Sequence, residues 1–156
     1  IEARLKTPFG TGLWPAFWLL GIPMEGQTWP EIGEIDIMEL RGQAPTVVAS
    51  TVHGPGYSAG NGITKDYRLT DSRFDTEFHV FVAEWFESKI DFYVDGILYH
   101  RIEKEDIENA GNEWVYNDPF FLILNVAVGG SYVGSPNSST RFPQTLTVDY
   151  VRVYSE

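Results

Sequence analysis

The sequence predicts an all-β chain, an antiparallel β-sandwich or jelly roll. Three observations lead there. Fifteen Gly and nine Pro punctuate short apolar runs. The aromatic content is high, with five Trp, eight Tyr and ten Phe, and such residues favour strands. Only one segment, Glu103–Asn109, carries a helical pattern, and it is short. At 156 residues the chain is expected to form one domain, residues 1–156, long enough for a sizeable core. There is no internal repeat, low-complexity segment or interdomain linker.

Each element follows from local pattern. Ile1–Lys6 alternates Ile1, Ala3 and Leu5 with Glu2, Arg4 and Lys6, a half-buried strand. Trp14–Leu20 is a mostly apolar run after the Gly10-Thr11-Gly12 turn. Gly33–Leu40 is a strand carrying acids, and Val47–His53 is a further strand ending at Gly54-Pro55-Gly56. His79–Phe86 and Lys89–Val94 flank Glu87-Ser88, which reads as a two-residue hairpin turn. Asp95-Gly96 turns the chain into Ile97–Ile102. Phe120–Val128 is a continuous apolar run interrupted by Asn125, as expected for a strand buried on both faces, and Leu146–Tyr154 is the last strand.

Charge and composition narrow the function. A formal net charge of −11 argues against nucleic acid or an anionic membrane as partner and is compatible with a neutral polysaccharide. With no cysteine there is neither a disulfide framework nor a thiolate metal site. No apolar run reaches membrane-spanning length, and the opening residues carry no signal-peptide pattern.

The run Glu34-Ile35-Asp36-Ile37-Met38-Glu39 carries the chemistry. Side chains alternate along a strand, so Glu34 and Asp36 face one way and Ile35 and Ile37 the other. Strict alternation sends Glu39 to the Ile face, but a β-bulge near Met38 returns it to the acid face. Three acids on one face of an apolar strand are costly unless they share protons. Retaining glycoside cleavage uses such a set: a carboxylate nucleophile and a carboxylic acid about 5–5.5 Å apart. Glu34 and Glu39 would then lie four strand intervals, roughly 13 Å, apart at Cα, a gap that two Glu side chains leaning together largely close. Asp36, between them, is placed to separate their charge states. The alternative is a solvated row of acids.

These residues, with Gly12-Leu13-Trp14-Pro15-Ala16-Phe17-Trp18 upstream, resemble glycoside hydrolase family 16, the laminarinase-like β-glucanases. The resemblance continues through Thr51-Val52-His53-Gly54, Glu84-Trp85, Val94-Asp95-Gly96, Asn125–Gly130 and Val148–Tyr154, nearly the whole chain. The six-residue acid motif with Met38 is similar to the laminarinase branch rather than to the shorter, unbulged motif of lichenases. The resemblance implies a concanavalin A-like jelly roll and retaining endo-hydrolysis of β-1,3-glucan, with mixed-linkage glucan as a further substrate. It implies Glu34 as nucleophile, Asp36 as its supporting acid and Glu39 as general acid/base, without a cofactor for catalysis, in a secreted protein. Trp14, Trp18 and Trp29 match cleft tryptophans, although core packing is the alternative for each.

Among polar positions, His53 matches a histidine near the acid/base, or is a buried structural histidine. Asn125 needs a partner, either sugar hydroxyls or backbone. Arg4 faces the cleft or belongs to a solvated row. Asp149 matches the strand where relatives bind a structural calcium, whose remaining ligands would lie upstream of Ile1. His79 and His100 show no metal-ligand pattern. The resemblance also implies that the chain corresponds to the C-terminal two-thirds of the family domain. The N-terminal strands are then missing, supplied by another chain or segment, or replaced by a rearranged architecture. Competing readings are a non-catalytic carbohydrate-binding sandwich, a family member acting on agarose or carrageenan, and a transglycosylase.

Overall fold

The computed structural model describes residues 1–155. Ten strands form two antiparallel sheets. In chain order they are β1 (Glu2–Lys6), β2 (Leu13–Gly21), β3 (Glu34–Leu40), β4 (Val47–His53), β5 (Ile63–Arg68), β6 (His79–Trp85), β7 (Lys89–Val94), β8 (Ile97–Glu103), β9 (Phe120–Val128) and β10 (Thr147–Arg152). A short helix, α1 (Lys104–Asn109), and a 3-10 turn at Ala59–Asn61 complete the described elements. One sheet has the order β10-β1-β6-β7-β8 and the other β5-β4-β3-β2-β9.

The alternating patterns explain the layering. Ala3 and Leu5 of β1, Phe81 and Ala83 of β6, and Ile90, Phe92 and Val94 of β7 point inward from the first sheet. Phe17 and Leu19 of β2, with Val48 and Val52 of β4, meet them from the second. Each of the larger side chains among them (Leu, Ile, Val, Phe) stabilises the fold by about 1.5–3 kcal/mol relative to exposure. Glu87-Ser88 makes the predicted tight hairpin, with Phe86 N–H donating to Lys89 O at 2.9 Å.

The bulge in β3 is present. Opposite β4, Asp36 pairs with Thr51 and Glu39 with Ala49, so Ile37 and Met38 together face the single residue Ser50. Opposite β2, the register passes from Trp18↔Asp36 to Phe17↔Met38 and skips Ile37. Ile37 and Met38, at 1% and 0% exposure, both enter the core. The extra residue spends one alternation on the apolar side, and Glu39 returns to the face of Glu34 and Asp36.

Three features differ from the sequence reading. The strand β5 was not anticipated; its Ile63 and Tyr67 touch the core while Thr64, Lys65 and Asp66 are exposed, a polar edge pattern. Phe120–Val128 is not buried on both faces. As β9 it pairs only with β2 at a sheet edge, and its residues are half-buried or exposed. Phe121 and Val128 stand open at this edge, as Val148 and Val151 do at the β10 edge. The last strand is also shorter than Leu146–Tyr154, because β10 ends where its pairing with Glu2 ends.

The loop from Ile22 to Gly33 is fastened to the end of β2. Gly21 N–H donates to Gly33 O at 3.0 Å, and a Cβ on Gly21 would fall 1.6 Å from Ile32 O, so only glycine fits. Gly21→Ala must push this backbone apart. The expected cost is about 1–3 kcal/mol, read as a fall in the thermal midpoint. An unchanged midpoint contradicts the packing described.

Candidate active site

The outer face of the second sheet carries a cleft built by register. On β3, Glu34, Asp36 and Glu39 lie opposite His53, Thr51 and Ala49 of β4. On the other side Asp36 and Glu39 lie opposite Trp18 and Ala16 of β2, and Trp14 and Ala16 pair in turn with Ala127 and Asn125 of β9. The small Ala16 and Ala127 leave a cavity of about 180 Å³ walled by Trp14, Trp18, the three acids and Asn125. A second cavity of about 540 Å³ adjoins it along Trp14, Glu34 and Glu39 and extends past Trp29, His53, Thr51 and Thr64 to Ser131 and Tyr132. Such a trough, apolar walls around a few convergent polar groups, is the usual form of a small-ligand or sugar site.

Three indoles are tied into the polar network. Trp14 Nε1–H donates to Glu39 Oε1 at 2.8 Å, Trp29 Nε1–H to Glu34 Oε2 at 2.6 Å, and Trp18 Nε1–H to Asn125 Oδ1 at 2.8 Å. The partner demanded by Asn125 is therefore an indole. Trp29 is 42% exposed and leaves a ring face for ligand, whereas Trp18 is half-buried. Trp85 and Trp114 lie elsewhere, donating to Tyr116 O and Asn117 Oδ1.

Burial separates the charge states of the acids. Asp36 is 2% exposed, and desolvation, followed by the charges of Glu39 and Glu34, holds its carboxyl well above the usual range. Desolvation also raises Glu39 to about 7; the Trp14 hydrogen bond opposes this and the charge of Glu34 adds to it. Burial lowers His53 from its ordinary value, with Glu34 opposing, so the imidazole is neutral near pH 7. Its Nε2 lies 3.2 Å from Asp36 Oδ2 and 3.8 Å from Glu34 Oε1. Close backbone approach fixes the ring: a Cβ on Gly62 would sit 2.4 Å from His53 Cε1.

Of the ten residues singled out in the sequence, eight meet in this cleft: Glu34, Asp36, Glu39, Trp14, Trp18, Trp29, His53 and Asn125. Arg4 and Asp149 do not. Arg4 lies on β1 in the opposite sheet, with its neighbours Ala3 and Leu5 pointing inward, and its own side chain reaches Asp149 Oδ2 at 2.6 Å. Alternation put Arg4 on a polar face, but of the wrong sheet for the cleft. Asp149 offers one carboxylate already paired with a guanidinium, against the six to eight oxygens calcium takes. No cluster of three or more His, Cys, Asp or Glu side chains among the described residues includes it, so Asp149 contributes a single carboxylate. His79 and His100 are engaged with Asp95 and Ser50.

Sequence reasoning missed Tyr132, Thr51 and Thr64. Tyr132 packs on Trp14 with centroids 5.0 Å apart and lies beneath the Arg41 guanidinium, bracing the indole that holds Glu39. The nearby Gly129-Gly130 pair was the available signal, since both adopt positive φ in the turn that leads to Tyr132. Thr51 and Thr64 share a 3.0 Å hydrogen bond across β4 and β5, a pair legible only once β5 is known.

The raised carboxyls have a consequence for stability. Glu39 keeps its proton in the folded chain up to about pH 7 but loses it near 4.5 when unfolded, so its burial destabilises progressively as pH rises between those values. Glu39→Gln removes the ionisation and keeps an acceptor for Trp14. Its thermal midpoint should exceed that of wild type by several degrees near pH 8, each 1 kcal/mol being worth roughly 2–4 °C, and match it near pH 4. An equal offset at both pH values contradicts the assignment.

Comparison with known proteins agrees with this geometry. The profile of glycosyl hydrolases family 16 matches residues 1–152. A β-glucanase of Rhodothermus marinus is 41% identical over 98% of this chain and 56% of its own length. The endo-β-1,3-glucanase structure from Pyrococcus furiosus is 51% identical with a TM-score of 0.92, covering 95% of this chain and 57% of that one. The laminarinase catalytic domain of Thermotoga maritima is 48% identical with a TM-score of 0.97, covering 99% of this chain and 62% of that one. This chain thus spans little more than half the length of each. With a match over nearly every residue and the acids, indoles and bulge in one cleft, the chain belongs to glycosyl hydrolases family 16.

Proposed function

We propose that residues 1–156 form a catalytic β-sandwich domain that hydrolyses internal β-1,3 linkages of glucan with retention, mixed-linkage glucan being a further substrate. The observation that carries this reading is the gathering of Glu34, Asp36 and Glu39 on one wall of a tryptophan-lined cleft. The relatives named above are β-1,3-glucanases or β-glucanases, which supports glucan over galactan. A carbohydrate-binding module has no use for one buried and one half-buried carboxyl whose proton affinities are both raised above the ordinary range. Polymeric glucan of this kind is met outside the cell, which supports a secreted protein.

In this mechanism, Glu34 attacks the anomeric carbon while Glu39, protonated near neutral pH, gives its proton to the departing glycosidic oxygen. The bond from C1 to that oxygen breaks as the bond from C1 to Glu34 forms. Glu39, now a carboxylate, takes a proton from water, whose oxygen displaces Glu34 with the β-configuration restored. Trp29 holds Glu34 through Oε2, and the Asp36 carboxyl stands beside that of Glu34, with one oxygen of each within 4.8 Å. The indole of Trp14 both orients Glu39 and offers an apolar face to a sugar ring.

Incubation with laminarin, mixed-linkage β-glucan and agarose, followed by reducing-end measurement, tests the reading. Laminarin should be cleaved. Glu34→Ala should abolish cleavage, and Glu39→Ala should lower kcat by roughly 10²–10⁴-fold. Binding of glucan by wild type without release of reducing ends would instead establish a binding module. Because the acid form of Glu39 is required, kcat/KM should fall as pH rises through about 7. Trp14→Phe deletes a hydrogen bond that favours the carboxylate, so this limb should move to higher pH, with a weaker KM; an unmoved limb counts against Glu39 as the acid.

A further inference from the structure

Three donors in the cleft are arranged for more than proton transfer. His53 Nε2 stands 3.2 Å from Asp36 Oδ2 and 3.8 Å from Glu34 Oε1, and one ligand atom from each residue lies within 4.8 Å of the others. Zinc bonds of about 2.0–2.2 Å in a tetrahedron separate neighbouring ligand atoms by roughly 3.3–3.6 Å, close to the two separations measured from His53 Nε2. Asp36 Oδ2 is an independent indication of a missing partner. It is buried, has no hydrogen bond, and belongs to a residue only 2% exposed that points into this cluster. Trp29 occupies Oε2 of Glu34, so Oε1 is the oxygen turned toward His53.

From this geometry we propose that Glu34, Asp36 and His53 form a binding site for a divalent transition cation of the zinc and copper class, which competes with glucan for the cleft. One imidazole with two carboxylates suits zinc or copper, whereas calcium and magnesium take all-oxygen sets. Three protein ligands leave a fourth position, which here opens into the larger cavity beside Trp29 and Thr51. The cation would occupy Glu34 Oε1, the oxygen left free by Trp29. That this blocks hydrolysis rests on Glu34 being the nucleophile; the binding itself does not. Affinity is limited by the far side of the imidazole. His53 Nδ1 must carry the proton when Nε2 binds metal, yet it is buried with no acceptor, and a missing partner of this kind typically weakens a site 10–100-fold. The site is therefore a reversible one, emptied by chelator.

The test uses the whole chain, freed of metal with chelator and titrated calorimetrically with zinc chloride near neutral pH in a non-coordinating buffer. The expected result is one zinc per chain, weakened at least tenfold by His53→Ala, by Asp36→Asn and by Glu34→Gln, and retained in Glu39→Gln. Copper should bind more tightly than zinc, and magnesium should give no signal. Added laminari-oligosaccharide should weaken zinc binding in wild type. No binding at millimolar zinc, or binding that the first three variants leave intact, overturns the proposal. Laminarin hydrolysis in chelator is measured in parallel, so failure of the metal site and failure of the glucanase reading are seen separately.

Discussion

Everything in the cleft depends on one irregularity of backbone pairing, the bulge that sets Ile37 and Met38 together against Ser50. Without it, strict alternation along β3 would turn Glu39 into the core and Leu40 out of it. With it, two consecutive apolar side chains enter the sandwich and three acids stay on the outer face. The core also holds the bulge in place. Met38 and Ile37 are fully buried, and a shift of register by one residue would exchange every inward side chain of β3 for an outward one.

From this placement the electrostatics follow. Three carboxyls on one strand cannot all ionise when they are poorly solvated, so burial and mutual repulsion distribute the protons. Asp36, deepest, is held well above its ordinary value by desolvation; Glu39 is pushed up to about 7. The indole N–H groups of Trp14 and Trp29 each select one oxygen of one acid, which fixes side-chain direction as well as charge. Tyr132 and Arg41 continue this bracing outward from Trp14. The stability sacrificed by keeping these carboxyls out of water resides in the same side chains that the proposed chemistry uses, a common arrangement at active sites.

Much of this was legible in the sequence. The alternation in Glu34–Glu39 implied both the face shared by the acids and the need for a bulge, and the Glu87-Ser88 turn was readable from its flanks. What escaped detection depends on contacts distant in sequence. The exposed residues of β5 give no apolar stripe, since an edge strand needs only Ile63 and Tyr67 to hold it to the core. The apolar run of β9 suggested two buried faces, yet its far edge has no neighbouring strand in the sheet. Arg4 has the polar alternation of a cleft residue, and no local signal tells which of two sheets it will join. Its ion pair with Asp149 arises from a β1–β10 pairing across most of the chain.

In the proposed mechanism the bulged strand delivers Glu34 as the carboxylate that attacks sugar, with Glu39 as its separate acid. Trapping with a 2-deoxy-2-fluoro laminaribiosyl donor, which slows breakdown of a glycosyl-enzyme, followed by peptide mass spectrometry, tests this directly. A single covalent glycosyl group should appear on the peptide that contains Glu34, located on Glu34 itself. A label on Glu39 or Asp36, or turnover of glucan with no covalent species trapped, would contradict that mechanism.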